Sequence, residues 1–183
     1  MKHQPYIFAV SAVSGGGKTT MTNRLSELMK NSKALYFDDY EFEGEPEDIC
    51  KWVEDGSDSN QWNLLPLIRD IQSLMNEPEL DYIILDYPFA YSHNEMSNYI
   101  NLSIFVDTPL DIAIARRILR DYTEHNIEEI KNDMMNYINS GRLAYLGMLQ
   151  TTKPNSDIII DGTLGLEEIV KRIIRSVEER RAF

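Results

Sequence analysis

Apolar positions along the chain come in two patterns: short continuous runs, and longer stretches in which they recur every three or four residues. Tyr6–Ser11, Ala34–Phe37, Tyr82–Leu85, Leu102–Val106 and Ile158–Ile160 are of the first kind. Their length and aliphatic character predict buried strands. Helical spacing predicts helices over Lys18 to about Lys30, with Met21, Leu25, Leu28 and Met29 on one side, and over Pro46–Val53, where Ile49, Trp52 and Val53 form the apolar face. Leu64–Met75, closed by Asn76 and Pro78, and Asp111–Tyr122 follow the same period. Asn126-Ile127-Glu128-Glu129 reads as a capping box that opens a further helix. A last helix carries Leu166, Ile169, Val170, Ile173, Ile174 and Val177, with Glu167 and Glu168 early and Arg180 and Arg181 late, as the helix dipole favours. Aliphatic strands alternating with helices predict an α/β fold: a three-layer sandwich with a central parallel sheet of about five strands and helices on both faces. With no repeat, low-complexity tract or linker, residues 1–183 read as one domain.

Composition narrows the class. Of 183 residues 43% are hydrophobic, enough for a sizeable core, and no apolar run is long enough to span a bilayer. Lys2, a short apolar stretch and Ala9-Val10-Ser11-Ala12 mimic a secretory leader, but the stretch is too short and reads instead as the first strand. The lone Cys50 permits no internal disulfide, which fits a cytoplasmic protein. A net charge of −12 argues against duplex nucleic acid or an anionic membrane surface as a partner. The pattern specifies no oligomeric state.

The chemistry concentrates at residues 12–20, Ala-Val-Ser-Gly-Gly-Gly-Lys-Thr-Thr, directly after the first strand. A strand, a glycine-rich turn and a helix opened by Gly-Lys-Thr make a phosphate cradle. Ser14, Gly15, Gly16, Gly17, Lys18, Thr19 and Thr20 are therefore candidates to bind ATP. Lys18 is placed to bridge the β- and γ-phosphates, and the Thr19 hydroxyl to hold Mg²⁺. Ala12 stands where the first glycine of G-x-x-x-x-G-K-[ST] is usual, and the turn survives if its φ is negative. Asp38, Asp86 and Asp107 close three predicted strands, the end at which such sheets bind ligands.

Four patches resemble the P-loop kinases of the uridine kinase and nicotinamide riboside kinase group. Residues 9–20 are similar to its G-I-S-G-x-x-x-x-G-K-T-T with two glycines replaced by alanine, and Asp38-Asp39-Tyr40 is similar to its D-[DS]-F. Val106-Asp107-Thr108-Pro109 through Arg116-Arg117-Ile118-Leu119-Arg120-Asp121 resembles V-D-x-P…R-R-I-x-R-D, and 153–160 resembles K-x-x-A-D-I-I-I. The resemblance implies transfer of the γ-phosphoryl group of ATP to a hydroxyl of a small acceptor. Asp38 would accept or orient the acceptor's proton and approach Mg²⁺ through water, with Asp39 as the alternative. Arg116 and Arg120, one helical turn apart, would reach phosphates from a lid over about 116–126. Arg117 would bind nucleotide or pair with Asp121 on the surface. Asp86 would complete the Mg²⁺ shell or be structural, since many members carry Glu-Gly there. Asp107 is expected to cap the helix begun at Pro109. Asp58, with Asp39 and Tyr40, would contact the acceptor. Tyr40, Trp52, Trp62, Phe89 and Tyr91 are candidates for stacking on a base or for the core. His93 reads as a solvated loop residue, with acceptor contact as its alternative.

From Asp38 to His93 there are fifteen carboxylates and two cations, Lys51 and Arg69. A phosphorylated acceptor requires arginines in its site, so this segment suits an uncharged or cationic acceptor. The alternative for the carboxylates themselves is a solvated face. Two other functions compete: a regulatory nucleotide-binding ATPase with no metabolite acceptor, and a degenerate binding module. The absence of N-K-x-D weakens a GTPase.

Overall fold

The computed structural model describes residues 4–123 and 127–182. Five parallel strands form one sheet in the order β2-β3-β1-β4-β5: β1 is Tyr6–Ser11, β2 Ser32–Tyr36, β3 Tyr82–Asp86, β4 Leu102–Asp107 and β5 Ile158–Asp161. Helices α1 (Lys18–Leu28), α2 (Ile49–Glu54), α3 (Leu65–Leu74), α4 (Leu110–Asp121), α5 (Ile127–Asn136), α6 (Arg142–Gln150) and α7 (Leu166–Arg181) complete it, with a π-helical turn at Tyr137–Gly141 joining α5 to α6.

Alternating residues of each strand enter different cores. Ile7, Ala9, Ile83 and Leu85 pack with Leu67, Ile68 and Ile71 of α3. Phe8, Val10, Ile84 and Ile104 pack on the other face with Leu25 of α1 and Val170, Ile173 and Val177 of α7. Both faces are covered, which is why the strands read as continuous apolar runs rather than alternating ones. Each fully buried aliphatic side chain contributes roughly 1.5–3 kcal/mol.

The boundaries move where caps decide them. β2 begins at Ser32 and ends at Tyr36, because Phe37–Asp39 turns into a 3₁₀ helix. The helix expected from Pro46 starts at Ile49, because the Asp48 carboxylate accepts from the amides of Cys50 and Lys51. Asn126 of the expected capping box lies outside the described residues, as do Lys2 and the end of the expected lid, 124–126. The leader-like stretch is the central strand. Among the described residues no helix is long and apolar enough to cross a membrane.

Register carries the chain's chemistry to one end of the sheet. Val10 of β1 lies beside Asp86 of β3, and Tyr36 of β2 beside the same residue. The turn after β1 and the ends of β2 and β3 therefore open together at the carboxyl edge.

Candidate active site

The turn after β1 is held in shape by glycines that no other residue replaces. Gly15 has φ +76° and Gly17 φ +93°. A Cβ on Gly15 would sit 2.0 Å from the Ala113 carbonyl oxygen of α4, and one on Gly16 would sit 2.7 Å from that of Val13. The Gly16 amide donates to the Val13 carbonyl at 2.7 Å, and the Thr108 hydroxyl donates to the Gly16 carbonyl at 3.1 Å. Ala12, 2% exposed, is not among the residues with positive φ, so the turn closes without the usual first glycine. Among the described residues the amides of Gly15 and Gly17 have no hydrogen-bond acceptor. Together with the unpaired first-turn amides of α1, they form an anion cradle at a helix N-terminus.

Behind the cradle, Asp86 is 2% exposed. It forms an ion pair with the Lys18 ammonium and accepts the Thr19 hydroxyl's hydrogen bond at 2.7 Å. Burial pulls the pKa of Lys18 down, opposed by the negative charge of Asp38. These oxygens are hard donors of the kind Mg²⁺ accepts, and Mg²⁺ typically takes one or two protein ligands plus phosphates and water. Among the described residues no cluster of three or more acidic, His or Cys side chains is arranged to hold a metal alone. The Thr19 hydroxyl and the Asp86 and Asp38 carboxylates fit a phosphate-borne Mg²⁺ rather than an all-protein cage.

A cavity of about 850 Å³ opens from the cradle. Ser14, Gly15, Gly17, Lys18, Thr19 and Thr20 line it from the turn, Asp38 from the end of β2, and Arg116 and Arg120 from α4. All three cations in its wall lie on the phosphate side. The other side is aromatic and apolar: Phe37, Trp52, Trp62, Phe89 and Met148, with the hydroxyls of Ser57, Ser59, Ser92, Thr151 and Thr152. Trp62 and Phe89 rings lie 5.5 Å apart and Trp52 and Phe89 6.0 Å apart, so three of the five candidate stacking residues form one wall.

Other expected site residues lie elsewhere. Gly16 is buried beneath the turn. Asp39, Tyr40, Asp58 and Arg117 are not in the cavity wall. The Tyr40 hydroxyl donates to Asp70, and that of Tyr91 to Asp157. The Asp58 carboxylate accepts from both the amide and the side chain of Asn60, capping a 3₁₀ turn, and these bonds lower its pKa. Arg117 pairs with Asp133, while Asp121 is taken by Arg120, Nε to Oδ1 at 2.6 Å. Asp107 does not cap α4: it accepts from the Lys153 ammonium at 2.6 Å, and Pro109 occupies the cap position. His93 is buried, not solvated. Its Nδ1 faces the Met96 amide, so Nε2 carries the proton to the Trp62 carbonyl, 3.0 Å away. Of the fifteen carboxylates between Asp38 and His93, only Asp38 lines the cavity; the segment reaches the site through its apolar residues.

One element escaped the sequence reading. Helix α6 contributes Tyr145 and Met148 to the wall, and the turn after it Thr152. Their three- and four-residue spacing reads as an ordinary amphipathic face, with nothing to mark it as a site.

A parallel α/β sheet with a glycine-rich phosphate turn, a buried carboxylate behind it and arginines over it defines a P-loop kinase. The family model "Phosphoribulokinase / Uridine kinase family" matches residues 69–164, and the chain belongs to that family. Curated relatives include a uridine kinase of Borrelia duttonii, 27% identical over 177 residues and covering 84% of this chain and 85% of the relative. A uridine kinase of Anoxybacillus flavithermus is 26% identical over 187 residues, with 87% of each covered. Among solved structures, a gluconokinase from Sinorhizobium meliloti superposes with a TM-score of 0.58 over 98% of this chain and 94% of its own, at 15% identity, a likeness of fold.

Proposed function

We propose that this protein is a cytoplasmic, ATP-dependent kinase that transfers the γ-phosphoryl group to a hydroxyl of an uncharged or cationic, nucleoside-like acceptor. The observation that carries the reading is one cavity that joins a cationic phosphate end to an aromatic end and has Asp38 in its wall. Asp38 lines the same cavity and acts electrostatically on both Lys18 and Arg120, which supports a role for its carboxylate beside the transferred group. A hydroxyl entering from the aromatic side would give its proton to Asp38 or be oriented by it. Lys18, the cradle amides, Arg116 and Arg120 would stabilise charge on the transferred group. Mg²⁺, bound at Thr19 and through water at Asp86 and Asp38, would neutralise phosphate charge and align the oxygens.

The Lys18 ammonium pairs with the buried Asp86 carboxylate, a contact for which nucleotide phosphates would compete. Arg116 and Arg120 belong to the lid in this reading. Among the described residues the aromatic wall carries no Lys, Arg or His, which favours a planar neutral acceptor over an anionic one. The same wall favours a metabolite kinase over a regulatory ATPase, which has no need of a second apolar pocket. The test is a coupled ADP-release screen over nucleosides and vitamin alcohols, with Lys18→Ala as the blank. Release stimulated by one of these compounds supports the assignment. Release that no acceptor stimulates, but a partner protein does, overturns it in favour of the regulatory ATPase.

A further inference from the structure

Tyr145 lies on α6 where that helix passes the phosphate turn. Its ring packs with Val13, Phe105 and Ala113, and the Tyr137 ring meets it edge-on, with centroids 5.2 Å apart. The residue is 7% exposed and forms part of the cavity wall. Its hydroxyl faces the side chain of Ser14 but meets no partner in hydrogen-bonding geometry. Arg117, Asp133 and Tyr137 are its other polar neighbours, and Arg120 lies within its electrostatic reach. Burial raises its pKa, outweighing the opposing pull of Ser14 and Arg117, so the hydroxyl stays protonated at neutral pH.

A buried hydroxyl without a partner is a defect that phenylalanine would remove at no loss of shape. Here it faces Ser14 of the phosphate turn. Further along α6 Gly147 packs on Val53, and Met148, with Thr152 in the turn after the helix, lines the aromatic end. Tyr145 thus stands between the cradle and the acceptor pocket. On the kinase reading Lys18 and Thr19, at the start of α1, meet the β- and γ-phosphates, and Ser14 and Arg120 in the same cavity wall lie on the side of the terminal group.

We propose that Tyr145 is a phosphate ligand whose hydroxyl donates a hydrogen bond to the terminal phosphate of the donor nucleotide, beside Arg116 and Arg120. The assignment rests on the reading of the chain as an ATP-dependent kinase. The experiment is titration calorimetry of MgATP and of MgADP, without acceptor, into the full chain and into Tyr145→Phe, with thermal melts of both proteins. ATP affinity should fall about tenfold in the variant, as expected for a hydrogen bond to a charged oxygen. ADP affinity should stay within twofold, and the melting temperature should be unchanged or higher. Equal ATP affinity in the two proteins overturns the assignment, as does an equal loss for both nucleotides, which would make Tyr145 a prop of the turn. If the unmodified chain binds neither nucleotide, the kinase reading falls and takes this assignment with it.

Discussion

The two ends of the cavity are built by opposite means. The phosphate end is local: six of its lining residues fall between Ser14 and Thr20, and its shape comes from backbone that only glycine permits. The aromatic end is assembled from five separated places, with Phe37 after β2, Trp52 on α2, Trp62 in the loop before α3, Phe89 in the loop after β3 and Met148 on α6. The first must meet the same phosphates in any protein that binds them, so its residues are narrowly constrained. On the proposed function the second has to match one acceptor, and many combinations of apolar side chains would serve. The difference separates what makes the protein a kinase from what makes it selective.

The comparison is broken most severely at the phosphate end. Lys18→Ala should lower acceptor-dependent ADP release on the order of 10²–10³-fold while circular-dichroism melts stay within a few degrees. Turnover close to that of the unmodified protein would remove the phosphate end from the mechanism. Asp38→Asn should lower kcat by about 10²-fold or more and leave ATP affinity intact, whereas Asp39→Asn, outside the cavity wall, should change kcat by less than about threefold. The reverse order would move the base to Asp39.

Smaller effects sharpen the other side. Trp52 is half-buried, and its indole N–H donates to the Asp58 carbonyl at 3.1 Å. Trp52→Ala should raise the acceptor KM about ten- to a hundredfold, with MgATP affinity unchanged in calorimetry. A matching loss of ATP affinity would show that the two ends are not separable. The smallest effect belongs to Asp58. Its pKa is depressed in the folded chain by the Asn60 amide and side chain, so its contribution to stability is fully present above the ordinary aspartate value. That contribution is lost as pH falls through the depressed pKa. Urea melts of Asp58→Asn should therefore differ slightly from the unmodified protein at pH 7 and converge with it well below pH 4. Acceptor KM should not move, because the carboxylate is outside the cavity; a large rise in KM would place Asp58 on the acceptor.

Sequence alone determined the succession of strands and helices along the chain, the two-faced burial of the sheet and the phosphate turn. These follow from periodicity and from backbone conformations that only particular residues adopt, and both are written within a few consecutive positions. Strand ends also pointed to Asp38 and Asp86, while Arg116 and Arg120 came from the resemblance to a kinase lid, with helical spacing putting the two on one face. Tertiary structure alone decided which charges pair. Asp107 went to Lys153, Arg117 to Asp133 and Asp121 to Arg120, choices made by geometry between helices and strands distant in the chain or by side-chain direction at short range. It also decided that the acidic stretch from Asp38 to His93 reaches the site through its tryptophans and phenylalanines, leaving Asp38 as its one carboxylate in the wall. Side-chain chemistry is a property of residues, but which side chains share a cavity depends on how the whole chain packs.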